Sequence, residues 1–313
     1  MTSSPSNIPM AADDTSLWIA PPLPWYRRLT GDLFGYVLLA PAVTLLAALT
    51  IYPLLYSIYV SFFRYTGGVM KGFIGLGNFE RLISDGQYWN SLRVVAEFTL
   101  VSVSLEFALG LGLALFLSQK LVLRGLWRSL VIIPMMLTPV VVGVIWRLML
   151  NPGIGIINYV LQLLGLPAVE WLSKGTWAFV SIVIVDVWNW TPFMFLVLLA
   201  GLESLPVEPF EAARIDGAKP VRIFLDHTLP LLAPTILVAL LIRTMDCLRI
   251  FDQVFILTGG GPGTSTEVVS LYLYKTAFKF FDQGYAAAGI IVLMVLINIV
   301  SMLYVRVLTR QEA

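Results

Sequence analysis

The stretch Glu203-Ser-Leu-Pro-Val-Glu-Pro-Phe-Glu-Ala-Ala-Arg-Ile-Asp-Gly-Ala-Lys-Pro-Val-Arg-Ile-Phe224 sits between two long apolar runs, 177–202 and 231–257, and is unlike anything else in the chain. Its punctuation reads as two short helices joined by a tight turn. Pro206 and Pro209 suit a helix entry, Phe210 to Asp216 favours helix, Gly217 suits the left-handed position that closes it, and Pro220 opens the next. Glu208 and Glu211 fall near the positive N-terminal end of the first helix, where a carboxylate is favourable. On these residues alone a solvated loop lying on a membrane surface is the plainer reading.

The flanking sequence makes the membrane certain. Hydrophobic residues are 58% of the 313 positions and charged residues 12%, against roughly 45–50% and about 25% in soluble domains. A bilayer core of about 30 Å takes roughly 20 apolar residues as helix. Six runs meet that length, at about 33–62, 92–118, 129–150, 177–202, 231–257 and 285–308. The chain is therefore expected to be an all-α membrane protein of about six spans, with one transmembrane domain over 31–313 and the loop 203–230 between spans four and five. Pro41 and Pro53 are expected to kink the first run. An even number of spans puts both termini on one side. Residues 1–30, polar and rich in proline, read as a disordered cytoplasmic tail, and the long run after them is no cleavable signal. The short segment Lys120 to Arg128 holds Lys120, Arg124 and Arg128 with no acid, which favours that loop, and with it the N-terminus, in the cytoplasm. The outer loops, 63–91, 151–176 and 258–284, are long and rich in glycine and aromatic residues, suited to meeting a partner.

Several chemistries are excluded. Cys247 is the only cysteine and His227 the only histidine, so neither a disulfide nor a structural zinc site of about four Cys and His ligands fits within the chain. No Gly-rich loop leads into Lys and Ser or Thr, so no P-loop holds a nucleotide. A net charge of +1 gives no footprint for nucleic acid.

Polar residues inside the spans are costly and mark sites. Arg243, Asp246, Arg249 and Asp252 alternate in sign every three residues along span five, a spacing at which neighbours on one helix pair. The ladder must face the bundle interior or the transport path, either as a self-neutralising structural network or as a binding surface. Span four carries Asp186, Trp188, Asn189, Trp190, Pro192 and Phe193. Pro192 frees a backbone carbonyl near mid-membrane. Indole faces suit the C–H face of a sugar, and Asn189 offers both donor and acceptor, although both residues equally suit packing against a partner. Glu106, followed by Gly110 and Gly112, reads as close helix packing.

Glu211-Ala212-Ala213, then Gly217, then Leu229-Pro230 resembles the Glu-Ala-Ala loop of the permease subunits of ATP-binding-cassette importers, at matching spacings, with His227 where that pattern has Ile. Ile215 to Ala218, Thr228 to Leu232, Leu257 to Pro262, Gly284 to Ala286 and Ile74 to Phe79 are similar to the carbohydrate-uptake branch, and the likeness covers nearly the whole chain. The resemblance implies a type I importer permease fold in a bacterial or archaeal cytoplasmic membrane, with the loop as the coupling helix. Glu211, Ala212, Ala213, Asp216 and Gly217 would dock on a cytoplasmic ATPase dimer. It further implies a second, similar permease subunit, an extracytoplasmic solute-binding protein, and a sugar, polyol or sugar derivative as solute. ATP and Mg would be held by the ATPase, leaving this chain with no cofactor, no metal and no catalysis. In relatives with a located sugar site, the corresponding positions implicate Asn189, Trp190, Phe193, Arg243, Asp246, Cys247 and Ile250, unless the site belongs to the partner permease. Arg243 alone raises an acidic sugar as a lesser possibility. An ion-gradient transporter using Asp186 or Glu106, and a membrane scaffold without transport, are the rival readings.

Overall fold

The structure, a computed structural model, describes residues 25–119 and 122–311. It divides into two compact units, one ending at Leu55 and one starting at Tyr56. The first unit's described part belongs to helix α1 (Trp25–Ser61), a single helix that contains both Pro41 and Pro53. Most of the expected tail, and Lys120, lie outside the described residues. The tail's last residues do not fit the expectation: 25–30 are helical, because no Pro or Gly interrupts them.

In the second unit, β1 (Phe63–Thr66) and β2 (Val69–Phe73) form an antiparallel hairpin. Gly67 and Gly68 make its two-residue turn with φ of +65° and +77°, the mirror-image turn that matches strand twist. Then come α2 (Gly77–Ser84), α3 (Gly86–Ser118), α4 (Arg124–Ile132), α5 (Pro139–Met149), α6 (Ile156–Leu163) and α7 (Gly175–Glu203). They are followed by α8 (Glu208–Ile215), α9 (Pro220–Ile223), α10 (Leu229–Cys247), α11 (Asp252–Leu257), α12 (Val269–Tyr274) and α13 (Gln283–Gln311). Among the described residues, five helical stretches are long and apolar enough to cross a bilayer, and a bent pair, Arg124–Met136 with Pro139–Met149, makes six if it is one span.

The core is the α3–α7 pair, with α10 against both. Gly110 on α3 lets the pair close: a Cβ there would sit 2.6 Å from Met194 Cβ. Gly201 does the same between α7 and α10, where a Cβ would lie 2.7 Å from Leu232. Gly112 meets nothing within 4 Å, so only the first of the two glycines serves the packing.

Two runs expected as straight spans are broken. The run at 129–150 bends by 94°, because Leu137 and Thr138 are extended ahead of Pro139, and a residue before proline is driven out of the helical region. The run at 231–257 stops as helix at Cys247; α11 starts only at Asp252, after Phe251 with φ −141° and ψ −60°. The outer elements are tied by side chains. Asn78 Nδ2 donates to the carbonyls of Ser61 and Phe63 at 2.8 and 2.9 Å, and Arg81 pairs with Asp282 at 3.0 Å at the start of α13.

Candidate functional site: coupling loop and intramembrane ion cluster

The loop after α7 folds as its local chemistry dictates. Pro209 lies in the first turn of α8, Pro220 opens α9, and Gly217 takes φ +73° between them. Ala218 N–H donates back to Ala213 C=O at 2.9 Å, which closes the helix end in the manner of a left-handed cap. Ala213 is buried, while Glu211, Ala212, Asp216 and Gly217 are exposed. Ile215, 85% exposed, stands beside them as bare apolar surface. Beneath the turn is a cavity of about 550 Å³ lined by Asp216, Lys219, Arg222, Asp226 and His227 among others. His227 is half-buried in a π-helical turn, Phe224–Thr228, with its ring edge-on to Phe210 of α8 at 6.4 Å. The imidazole thus packs against α8 from the turn that follows it. At the same membrane face Arg124 and Arg128 both pair with Glu203, the last residue of α7. The basic segment that suggested the orientation therefore also holds α4 to α7.

Inside the membrane the charges are arranged differently from the expected ladder. Arg243, 2% exposed, donates through Nε and Nη2 to the two carboxylate oxygens of Glu106 at 2.7 Å each. Nη2 also reaches Asp186 at 3.0 Å and Cys247 Sγ at 3.2 Å, and the guanidinium lies over the Trp190 ring at 4.8 Å. One cation thus joins α3, α7 and α10, and its carboxylate partners are on other helices. Asp246 pairs instead with Arg249 at 3.2 Å, and Asp252 is displaced onto α11. The bidentate, charge-assisted geometry is the strongest an arginine makes. Glu106, Asp186 and Cys247 bring their ligand atoms within 4.8 Å of one another, yet all three face the same guanidinium, which a metal would have to displace.

Beside the cluster is a cavity of about 240 Å³ whose lining includes Trp190, Arg243, Asp246, Cys247, Ile250 and Gln253. Of the residues marked by sequence as a substrate path, these five up to Ile250 meet there. Asn189 does not. It is buried, donates to Pro134 C=O at 2.8 Å and accepts from Gln253 at 2.9 Å, so its donor serves the bend between α4 and α5 and its acceptor holds α11. Phe193 is half-buried and outside the lining, and Trp188 faces an apolar hollow with Leu105, Leu109 and Pro192. Sequence reasoning missed Glu106 as an ion partner and missed Gln253. A lone acid in an apolar span was the available signal, since a buried carboxylate demands a cation from another helix.

At the start of α3 Asp85 caps the helix, accepting from Gln87 and Tyr88 N–H and from the hydroxyls of Tyr272 and Tyr285. Burial opposes its charge, but the two tyrosine hydroxyls and two amides outweigh it and hold the carboxyl below its usual range. Burial, then the bond to Asp85, push Tyr272 up to about 12, so it stays a donor at neutral pH.

Residues 107–312 match the family described as binding-protein-dependent transport system inner membrane component. The trehalose/maltose transport system permease protein MalF of Thermococcus litoralis is 40% identical over 274 residues, 87% of this chain and 92% of that protein. The sulfoquinovosyl glycerol transport system permease protein SmoG of Agrobacterium fabrum is 36% identical over 292 residues, 92% of this chain and 95% of that protein. A chain of a bacterial alginate ABC transporter, solved with an alginate pentasaccharide-bound periplasmic protein, shares the fold with a TM-score of 0.78 at 23% identity, over 90% of this chain and 95% of that one. On that family match and these relatives, the chain belongs to the binding-protein-dependent transport system inner membrane components, as a multi-pass permease subunit of an ATP-binding-cassette importer.

Proposed function

We propose that this chain forms half of the translocation path for a sugar, polyol or sugar derivative. It works by alternating access with a second, similar permease, driven by a cytoplasmic ATPase dimer and loaded by an extracytoplasmic binding protein. Catalysis, ATP and Mg belong to the ATPase. Both termini are cytoplasmic. The observation that carries the reading is the α8–α9 turn: a rigid, Gly217-closed handle that displays Glu211, Ala212 and Asp216 and the bare side chain of Ile215 to the aqueous phase. An exposed carboxylate there suits a basic group on a partner. The named solutes of the relatives, trehalose, maltose and sulfoquinovosyl glycerol, support the carbohydrate class, as does a polar cavity beside Trp190.

The test is uptake and binding-protein-stimulated ATP hydrolysis by the reconstituted transporter. Glu211→Lys is expected to abolish both while the chain still assembles in the membrane. Full uptake by that variant would refute the coupling role. A thermal-shift screen of the cognate binding protein against neutral and modified sugars identifies the solute; stabilisation by none of them, and by an amino acid or ion instead, would refute the carbohydrate class.

A further inference from the structure

The apolar hollow that Trp188 faces continues into a basic notch at the coupling-loop end of the bundle. We propose that the two together hold an anionic phospholipid, with one acyl chain in the hollow and the phosphate on Arg124 and Arg128. The importer reading enters only in naming the leaflet as the cytoplasmic one, since both arginines pair with Glu203 where α7 leads into the coupling loop.

The hollow has a volume of about 510 Å³ and lies between α3, α4 and α7. Leu105, Leu109 and Leu113 wall it from α3. Eight residues at helical rise give that wall a length of about 12 Å, most of the depth of one leaflet in a hydrocarbon core of about 30 Å. Leu105, Leu109 and Leu130 are 45%, 51% and 48% exposed, so the hollow opens sideways instead of being sealed within the core. A groove of that length and chemistry, parallel to a spanning helix, suits a hydrocarbon chain.

The same helix faces then turn basic. Arg124, Arg128 and Val131 follow one another along α4 at four- and three-residue spacing, which places them on one face, and Val131 lines the hollow. Leu117, one turn beyond Leu113 on α3, accepts at its carbonyl from Arg124 Nε at 3.0 Å and Arg128 Nη2 at 3.3 Å. The arginines therefore stand about one turn past the end of the hollow, where a phosphate follows its chain.

Their charge is only half answered. Both pair with the same oxygen of Glu203, and no other acid is within ion-pair distance of either among the described residues. Neither Nη1 makes a hydrogen bond among the described residues, and the side chains keep 33% and 26% exposure. The guanidinium fork matches phosphate oxygens. Helix α4 adds to the field, because its N-terminus has neither a side-chain cap nor an acid in the first turn. Two cations at the positive end of a helix are unfavourable by themselves and favour an anion between them. Trp127, 53% exposed on α4, fixes the depth, since indoles settle at the level of the headgroups. Basic pockets between helices on the cytoplasmic side are where anionic headgroups bind.

The test uses the assembled transporter in phosphatidylcholine nanodiscs carrying a trace of lipid with a photoactivatable diazirine in one acyl chain. The probe is phosphatidylglycerol in one arm and phosphatidylcholine in the other, and labelled residues are located by mass spectrometry. Phosphatidylglycerol is expected to label the stretches 105–113 and 130–134 about fivefold more than phosphatidylcholine does. Arg124→Gln with Arg128→Gln should bring the two probes level. Glu203→Gln removes the competing carboxylate and keeps both arginines, so it should widen the ratio; it serves as the test where the double variant fails to assemble. Equal labelling by the two probes in the wild type overturns the proposal and makes the hollow ordinary lipid contact. Absence of labelling there by either probe overturns it too, with the second permease as the occupant. A ratio that neither variant moves does the same. Sugar uptake is no part of the readout, so none of these results touches the carbohydrate reading.

Discussion

Arg243 is where single side chains matter most. Removing one partner of a buried ion pair leaves the other uncompensated, at about 3–5 kcal/mol, whereas a neutral network of the same shape is far cheaper. Arg243→Met strands the carboxylates of Glu106 and Asp186, buried on α3 and α7. It is expected to lower the unfolding temperature of the purified assembly sharply. Adding Glu106→Gln and Asp186→Asn to it should recover much of the loss. A wild-type melting curve for Arg243→Met would mean the three-helix tie contributes nothing. Asn189 separates structure from binding in the same region. Its side chain fills Pro134 C=O and Gln253 Nε2; Asn189→Ala leaves the Gln253 amide without a partner, at about 1–3 kcal/mol, and Pro134 C=O with Leu137 N–H alone. Loss of thermal stability with unchanged solute affinity is the expected pattern; the reverse pattern would return Asn189 to the substrate path.

At the scale of elements, the α3–α7 contact makes a paired prediction. Gly110→Val drives a side chain into Met194 and the Phe195 backbone, and overpacking of this kind costs about 1–3 kcal/mol; Gly112→Ala, with open space around it, should be silent in the same melting assay. The α3 cap predicts a pH dependence. The carboxyl of Asp85 is held below its ordinary value, so its stabilisation is present above about pH 3.9 and disappears as pH falls through the lower, folded value. Unfolding temperature attributable to this cap should be flat at neutral pH and drop only below pH ~4, and Asp85→Asn should flatten that acid limb. The elements also show what was legible in the sequence. The α8–α9 turn was readable residue by residue because Pro209, Gly217 and Pro220 act through local backbone sterics. The six apolar runs were readable from bilayer thickness. The breaks were not, although Pro139 stood in plain view, because hydropathy does not register a bend, nor that Asn189 of another helix donates to Pro134 C=O there. The Gly67-Gly68 hairpin was present as a signal and passed over as a glycine-rich loop. The charge ladder misled because spacing on one helix cannot report that Glu106 and Asp186 on two others compete for Arg243.

At the scale of the whole molecule the open quantity is the number of crossings between the hairpin at 63–73 and the coupling loop at 208–220. Helices α3 and α7 cross once each; the bent pair decides the parity. If it crosses, the hairpin and coupling loop lie on opposite sides of the membrane; if it turns back, they share a side. The pair's first end is fixed to the C-terminal end of α7 through Arg124, Arg128 and Glu203. Its other end reaches α11, where Arg147 donates to Ile256 C=O at 3.0 Å and Gly143 packs on Ile256. That contact lies beyond the far end of α10, a helix of 19 residues and so about 28 Å long, whose near end adjoins the coupling loop. The pair therefore runs from one face to the other and counts as a crossing. Because Cys247, the only native cysteine, is buried, single cysteines read out cleanly. Val69→Cys should react with a membrane-impermeant maleimide in right-side-out vesicles, and Asp216→Cys only in inside-out ones. Labelling of both from the same side would make the pair a re-entrant loop, and labelling of Asp216→Cys from the outside would put the coupling turn out of reach of any cytoplasmic ATPase.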